Sequence, residues 1–507
     1  MSLLDFFLPP KETDLSEELL PKSNKIKLTD LIIQTKNEFP IYKGFEEKNK
    51  ELANLTDLAI KGDYASKMRV KSEILRFLSL KHPEITAQNI DDIIKQYHTN
   101  YYQNLFLTKE PTNTYDKIVF DYFQKFVLSI NSPLSTKFER LATILFQEIY
   151  GLGIVDELSD DIININGLWI NNRNNIRIQF RGIKRKVHNL SFPDDKAFVN
   201  AIKNSIKFDS FLDLSRVNPS VVCSRLNGSR IVAKLPPLSS EANLNIRNFD
   251  DSLCNFDKLI ELNSLDESIK EFFQYMIKGR LNFSISGQMG TGKTNLLKAI
   301  LSLYSENVSI MTFEPSNELR LAKLLPDHDI RGSIYSNEHG IEELFELALK
   351  EDRDIFIMAE IRSAIEAYFS LHAKLRVGKG SGDTYHSTGF ENYMATFSKL
   401  LMELGRYQSI HEAEQTIALA NDIIVFLDYD VTTGQRFIKN ISEIVVNENI
   451  ISENKLIEYD TKTKTWYSVN KPTDTLIQKM LIEATFTEAD LMGLNYLFEK
   501  MATKVVA

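Results

Sequence analysis

The sequence predicts an α/β protein built around a parallel sheet with helices on its faces. From about residue 262 onward, apolar runs of strand length alternate with longer runs of helical spacing, which is the pattern of parallel strands joined by helices. We place the strands of this sheet at 281–286, 308–314, 354–360 and 422–428.

Length and composition indicate a globular chain of several domains. A chain of 507 residues exceeds what one hydrophobic core usually supports, and about three domains are expected. The hydrophobic content of 43% and charged content of 25% are ordinary globular values. The net charge of -9 argues against broad nucleic-acid binding, because a phosphate backbone is gripped by clustered Lys and Arg. A local basic patch is compatible with it.

Cysteine usage and hydropathy favour a cytoplasmic setting. Cys223 and Cys254 form no C-x-x-C pattern, so neither a disulfide framework nor a zinc site is indicated. No run approaches the ~18 to 20 apolar residues of a spanning helix. Residues 1–10 lack the basic lead of a secretory signal, and we expect a loosely ordered tail there.

Three regions differ in character. Residues 1–130 are rich in Lys, Glu and Asn, with helical spacing at 67–80 and 115–130, and predict a mostly helical accessory or docking domain. Residues 131–255 predict a small α/β domain, and residues 256–507 contain the parallel sheet. Within the middle region we expect a helix at 138–150 and strands at 161–165, 175–180, 229–234 and 243–247.

A complete G-x-x-x-x-G-K-[ST] pattern lies between the strand at 281–286 and a helical run at 295–303. Glycines let backbone N–H groups converge on phosphate oxygens, and the helix points the positive end of its dipole at the same anion. Lys293 would reach the β and γ phosphates of a nucleotide, and the Thr294 hydroxyl would hold Mg²⁺. A chance glycine-rich turn is the alternative. The pattern consists of Gly287, Gln288, Met289, Gly290, Thr291, Gly292, Lys293 and Thr294.

Carboxylates follow two of the predicted strands. The run at 354–360 ends in Glu360, in the form of a Walker B element, and the run at 308–314 delivers Glu314. Since strand ends of an open parallel sheet face the ligand crevice, both glutamates would converge on the phosphate loop. A solvated strand terminus is the alternative for each.

His386 lies in the polar, glycine-rich stretch 380–387 that follows a helix. A lone histidine is usually a structural hydrogen-bonding residue. Beside a phosphate loop, a role in sensing the γ phosphate is the competing interpretation.

The order of these elements resembles the secretion traffic ATPases, which power type IV secretion, type II secretion, type IV pili and Tad pili. The phosphate loop, an Asp box at 312–318, a Walker B end at 359–362 and a His box at 384–386 follow one another as in that family. Further stretches that look like family motifs lie at 150–158, 226–230, 245–247, 433–436 and 441–444. The resemblance covers about residues 140 to 465.

The sequence departs from the family pattern at several positions. Pro315 replaces the aspartate of the Asp box, and Ala359 replaces the Walker B glycine. The stretch 349–354 lacks the usual arginine and proline, and the first histidine of the His box is missing near Gly378 or Lys379. The turnover rate and the close subfamily are therefore left open.

The resemblance implies a RecA-like P-loop motor domain, a smaller α/β N-terminal domain that closes on the nucleotide, and hydrolysis of ATP with Mg²⁺. By this resemblance Glu314 polarises the attacking water, Glu360 holds Mg²⁺ through water, and His386 couples the γ-phosphate state to movement. Arg230 and Arg247 match arginines that approach the phosphates when the domains close. Ordinary surface or salt-bridged arginines are the alternative.

The resemblance also implies a homohexamer at the inner face of the cytoplasmic membrane. It would be a peripheral protein docked on the membrane platform protein of a secretion or pilus machine, with no direct nucleic-acid binding. Type II secretion and pilus-extension motors carry a four-cysteine zinc insertion, which two scattered cysteines cannot build, so type IV secretion and Tad pili are nearer. A nucleotide-gated scaffold with slow or no turnover and a RecA-like DNA translocase are the competing hypotheses. The transported substrate stays open.

Overall fold

A computed structural model gives the fold of this protein. It describes residues 26–39, 48–101, 132–187, 190–206, 213–249, 254–335, 340–376, 379–483 and 485–503. The chain divides into two compact units, the first comprising residues 1–57 and 65–153 and the second comprising residues 58–64 and 154–507. The predicted boundaries after residues 130 and 255 stay a prediction.

The first unit is helical in its described part. Its helices are α1 (Leu28–Glu38), α4 (Ala87–Tyr101), α5 (Leu134–Ile149) and most of α2 (Lys48–Ile60) and of α3 (Tyr64–Lys81). Val70, Ile74 and Phe77 recur at helical spacing on α3 and are fully buried, because one face of the helix forms core. The helices predicted at 67–80 and 138–150 are confirmed, whereas 115–130 lies outside the described residues.

The second unit contains a six-stranded antiparallel sheet in the order β3-β2-β1-β6-β5-β4. Its strands are β1 (Ile165–Asn172), β2 (Asn175–Phe180), β3 (Ile183–Lys186), β4 (Ser220–Ser224), β5 (Arg230–Lys234) and β6 (Asn243–Arg247). The strands predicted at 175–180, 229–234 and 243–247 are confirmed. The one at 161–165 is wrong, because the Asp161 carboxylate accepts hydrogen bonds from Asn164 and closes a turn, so that β1 begins only at Ile165.

A nine-stranded sheet forms the larger part of the second unit, in the order β15-β14-β13-β12-β7-β11-β10-β8-β9. The four predicted strands are confirmed to within two residues as β7, β8, β10 and β12. The strands of this sheet are β7 (Phe283–Gly287), β8 (Ile310–Glu314), β9 (Ile330–Ile334), β10 (Ile355–Ile361), β11 (Gly382–Tyr385), β12 (Ile423–Tyr429), β13 (Arg436–Asn447), β14 (Ile450–Asp460) and β15 (Thr465–Ser468).

Helices cover both faces of this sheet, and two clusters of buried apolar side chains fill the layers between. The predicted α/β fold class is thereby confirmed. The helices of the second unit are α6 (Val155–Asp160), α7 (Asp195–Ile206), α8 (Phe256–Glu261), α9 (Glu267–Lys278), α10 (Lys293–Leu301), α11 (Leu321–Leu324), α12 (Ile341–Ala348), α13 (Ala364–Arg376), α14 (Phe390–Met402), α15 (Ile410–Ala420), α16 (Asp474–Leu481) and α17 (Glu488–Thr503).

The strands from β12 across to β9 run parallel to one another, while β13 to β15 add an antiparallel extension. The carboxyl ends of the parallel strands therefore meet at one edge of the sheet. Among the described helices, none combines the length and apolar character required to cross a membrane.

Candidate nucleotide site

Four adjacent parallel strands bring the predicted site residues to one edge of the sheet. In spatial order β7 leads into the phosphate loop, β11 leads into His386, β10 carries Glu360, and β8 ends in Glu314. Along the chain these residues are separated by many intervening elements. The sheet order makes them neighbours.

The phosphate loop adopts a backbone that its glycines require. Gly290 and Gly292 have φ values of 84° and 99°, in the left-handed region that side chains disfavour. At Gly287 a Cβ would lie 2.7 Å from the Leu427 carbonyl oxygen of β12 and 2.8 Å from Thr291 Oγ1. Helix α10 begins at Lys293, directly after the loop, so its amino terminus faces the loop.

Lys293 is buried and folds over the loop that precedes it. Its Nζ donates to the carbonyl oxygens of Gly287 and Gln288, at 2.9 and 3.1 Å, and lies 3.1 Å from His386 Nδ1. Burial lowers the pKa of Lys293 to about 8, opposed by the negative charge of Glu360. The backbone carbonyls thus compensate the positive charge of the buried Lys293 ammonium only in part, which favours binding of an anion.

Glu360 lies at the centre of a charged hydrogen-bonded group. Its Oε1 is 2.8 Å from His386 Nε2, and its Oε2 accepts a hydrogen bond from Arg362. Burial would raise the pKa of this carboxyl, but the hydrogen bonds from His386 and Arg362 prevail and lower it to about 2. Glu360 is therefore ionised at neutral pH, and His386 bridges it to Lys293.

Glu314 is in the opposite electrostatic situation. It is 2% exposed, and burial raises its pKa to about 7 even though the backbone N–H groups of Glu318 and Leu319 donate to its Oε2 at 2.9 and 2.8 Å. Thr312 Oγ1 lies 3.3 Å from the other carboxyl oxygen. A carboxylate whose pKa is near 7 can take a proton from water and release it again at neutral pH.

The two predicted arginines stand side by side on the six-stranded sheet. Arg230 of β5 pairs with Arg247 of β6, and Arg230 Nη1 donates to Glu318 Oε1 at 2.5 Å. Desolvation lowers the pKa of Arg247, which also interacts electrostatically with Glu318 and Glu360. Arg230 is thus paired with Glu318, and Arg247 lies in the electrostatic field of Glu318 and Glu360.

Arg436 is a site residue that the sequence reasoning did not single out. It begins β13, and its Nε donates to the Gly290 carbonyl oxygen at 2.6 Å. Burial and the positive charge of Arg247 lower its pKa. The motif at 433–436 was the available signal, but only the pairing of β13 with β12 brings this guanidinium onto the phosphate loop.

A G-x-x-x-x-G-K-[ST] loop between a central parallel strand and a helix, with glutamates at the ends of neighbouring strands, defines a P-loop fold. Residues 167–403 match the family model described as "Type II/IV secretion system protein". Over this part of the sequence the chain is similar to the type II/IV secretion ATPases.

Individual relatives are distant. An uncharacterised protein of Bacillus anthracis is 23% identical over 312 residues, which are 58% of this chain and 66% of that protein. The type IV secretion system protein VirB11 of Bartonella quintana is 31% identical over 111 residues, which are 20% of this chain and 30% of VirB11. The chain thus spans less than two thirds of the length of these relatives. The crystal structure of the VirB11 ATPase of Brucella suis is 18% identical, with a TM-score of 0.32 over 57% of this chain and 91% of that one.

Proposed function

We propose that this protein hydrolyses ATP and uses the energy as a motor for protein or DNA secretion or pilus assembly. One observation carries the proposal: four adjacent parallel strands bring Lys293, His386, Glu360 and Glu314 to the same edge of the sheet. Phosphoryl transfer to water requires a phosphate-binding loop, a lysine that binds the anion, an ionised carboxylate and a second carboxylate whose pKa is near neutral pH.

The geometry supports a defined role for each group. The phosphates would lie against the loop and the amino terminus of α10, where Lys293 would exchange its contacts with Gly287 and Gln288 for phosphate oxygens. Glu314 would accept a proton from the attacking water. His386, in contact with both Lys293 and Glu360, would change its hydrogen bonds when phosphate enters or leaves.

The residues present fit a magnesium ion bound together with the nucleotide. Thr294 is the second residue of α10, directly after Lys293, and offers a hydroxyl oxygen, and Glu360 is ionised at neutral pH. Oxygen ligands of this kind suit Mg²⁺, which usually keeps several waters. When bound, the ion would neutralise charge on the phosphates.

For the assembly we propose a homohexamer in which the six-stranded sheet closes on the nucleotide, with Arg230 and Arg247 approaching the phosphates. Similarity to the type II/IV secretion ATPases supports a peripheral position at the inner face of the cytoplasmic membrane, docked on a platform protein of a secretion or pilus machine. Among these ATPases we place the chain nearest type IV secretion and Tad pili.

A second function is a nucleotide-gated scaffold that binds ATP and turns it over slowly. The substitutions Pro315 and Ala359 beside Glu314 and Glu360 favour it. The scaffold would differ from the motor in the rate of ATP hydrolysis and not in the binding of ATP.

The function is tested by comparing ATP hydrolysis of the wild-type protein with that of Lys293→Ala. We expect the substitution to abolish measurable turnover and to weaken binding of a fluorescent ATP analogue by about 10-fold or more, because a charge-assisted contact to phosphate is lost. The exposed Lys439, on β13, provides a control as Lys439→Ala. A wild-type rate no higher than the Lys293→Ala rate contradicts the motor, and retained ATP binding would then leave the scaffold.

Arg436→Ala should separate a phosphate-binding role from a bracing role. We expect ATP affinity to fall about 10-fold, while the melting temperature without nucleotide stays equal or rises, because the variant relieves repulsion between Arg436 and Arg247. Thermal unfolding with and without ATP measures both quantities. A lower melting temperature without nucleotide, together with an unchanged ATP-induced increase, would show that Arg436 only braces Gly290.

A further inference from the structure

Arg320 holds a backbone conformation that an arginine adopts at a cost. Its φ and ψ are 48° and 33°, in the left-handed region, immediately before the short helix α11. For a residue with a side chain this conformation is less favourable than the right-handed one. Glycine would adopt this backbone conformation more easily, which indicates that the arginine side chain makes a compensating contact.

The side chain reaches the six-stranded sheet. Arg320 Nη1 donates to the carbonyl oxygen of Asn227 at 2.9 Å, in the turn between β4 and β5. The next residue, Gly228, has φ of 83°, and a Cβ there would lie 2.3 Å from the same Nη1. A side chain at residue 228 would therefore displace the guanidinium from this position.

The other end of the same loop holds Glu314. Residues 314–320 form one short segment, in which the N–H groups of Glu318 and Leu319 donate to the Glu314 carboxylate. Arg230, the first residue after the turn, binds Glu318. The β4–β5 hairpin thus contacts this segment twice, at Glu318, which carries one of the two N–H donors, and at Arg320, the residue after the other donor.

We propose that Arg320 is a positioning residue that makes the arrangement of Glu314 depend on the β4–β5 hairpin. While the contact with Asn227 is made, segment 314–320 keeps its donors on the Glu314 carboxylate and excludes water from it. When the hairpin withdraws, the segment loosens and the base is displaced. The inference rests on the proposed ATPase function, and Arg320 itself touches no reacting atom.

The test is Arg320→Gly, which removes the guanidinium and relieves the backbone strain together. We expect a melting temperature equal to or above that of the wild type, a kcat lower by about 3- to 10-fold and a KM changed less than 2-fold. Because burial is what raises the pKa of Glu314 to about 7, hydration of the loosened segment should move the acidic limb of the pH profile below pH 7. Arg320→Lys, which keeps one donor, should recover part of kcat.

Arg280→Gly is the matched control. Arg280 also has a left-handed φ, 47°, but precedes the amino end of β7, away from the phosphate loop. It should gain similar stability without loss of kcat. Gly228→Ala should lower kcat in the wild type, and its steric part should vanish in the Arg320→Gly background, which a double-mutant cycle measures.

Different results contradict the positioning role of Arg320 and the proposed ATPase function. A wild-type protein that hydrolyses ATP, with an Arg320→Gly variant of unchanged kcat and pH profile, overturns the positioning role alone. A lower melting temperature with an unmoved acidic limb shows that Arg320 only stabilises the fold, and this also overturns the inference. A wild-type rate equal to that of Lys293→Ala overturns the proposed function itself, and with it the inference.

Discussion

Glu314→Gln should reduce kcat by about 100- to 10,000-fold while leaving ATP affinity within a few-fold of the wild type. A general base contributes about that factor, and glutamine keeps the shape of the side chain without its ability to accept a proton. Because Glu314 is 2% exposed and receives two backbone N–H groups, the amide should fit with little rearrangement. Steady-state hydrolysis and direct nucleotide titration measure the two quantities separately.

The pH dependence identifies the base independently of the size of the effect. Glu314 must lose its proton to act, so wild-type kcat/KM should rise with pH through about 7 and lose this limb in Glu314→Gln. A second limb should fall through about pH 8, where Lys293 loses its charge. Glu346→Gln, at an exposed position of α12, should leave both limbs in place. A low-pH limb that survives in Glu314→Gln would assign the base to another group.

Lys374→Met should lower the melting temperature by about 10 °C. Lys374 Nζ donates to Asp383 at 2.5 Å and to Asn421 at 2.6 Å, while Ser284 and Ser370 also donate to the Asp383 carboxylate. The side chains of the lysine and the aspartate are 1% and 0% exposed. Removing one partner leaves an uncompensated buried charge, which costs about 3–5 kcal/mol, and in a domain of this size 1 kcal/mol corresponds to about 2–4 °C.

Replacing both partners tests the cause. A buried ion pair exchanged for apolar side chains of similar volume is often neutral in stability, so Lys374→Met with Asp383→Leu should recover more than half of the loss. Thermal unfolding of the two single variants and the double variant gives the coupling between the positions. Equal losses that add up in the double variant would show that the two charges are not coupled.

Sequence reasoning found the central strands and the chemistry at their ends, because both depend on local pattern. Apolar runs such as 354–360 predict buried strands. Because the carboxyl ends of parallel strands meet at one edge of a sheet, Glu314, Glu360 and His386 are then expected around the phosphate loop. Their catalytic roles stay predictions, as do those of Arg230 and Arg247.

The antiparallel strands β13 to β15 were not predicted, because the turn between β13 and β14 lacks the residues that usually mark a hairpin. Asn447 pairs with Ile450 across a two-residue turn, and its central residues Glu448 and Asn449 have φ values of 49° and 69°. Such turns usually contain Asn-Gly or Asp-Gly, and no glycine marks this one. Arg436 was missed for a related reason, since its place on the phosphate loop follows from strand pairing that no local pattern shows.

The central position of β7 in the sheet has a consequence for how the protein folds during synthesis. Its neighbours are β11 and β12, and contacts that join them to β7 or the residue before it link positions 99 and 140 residues apart. At roughly 5–20 residues per second, a ribosome needs about 7–28 s to make the later stretch. For about the first 5–20 s of that interval the strand that leads into the phosphate loop has neither neighbour, and it then has only β11 until β12 is made. Bound nucleotide would therefore stabilise this domain only after translation has passed β12, which ends at Tyr429.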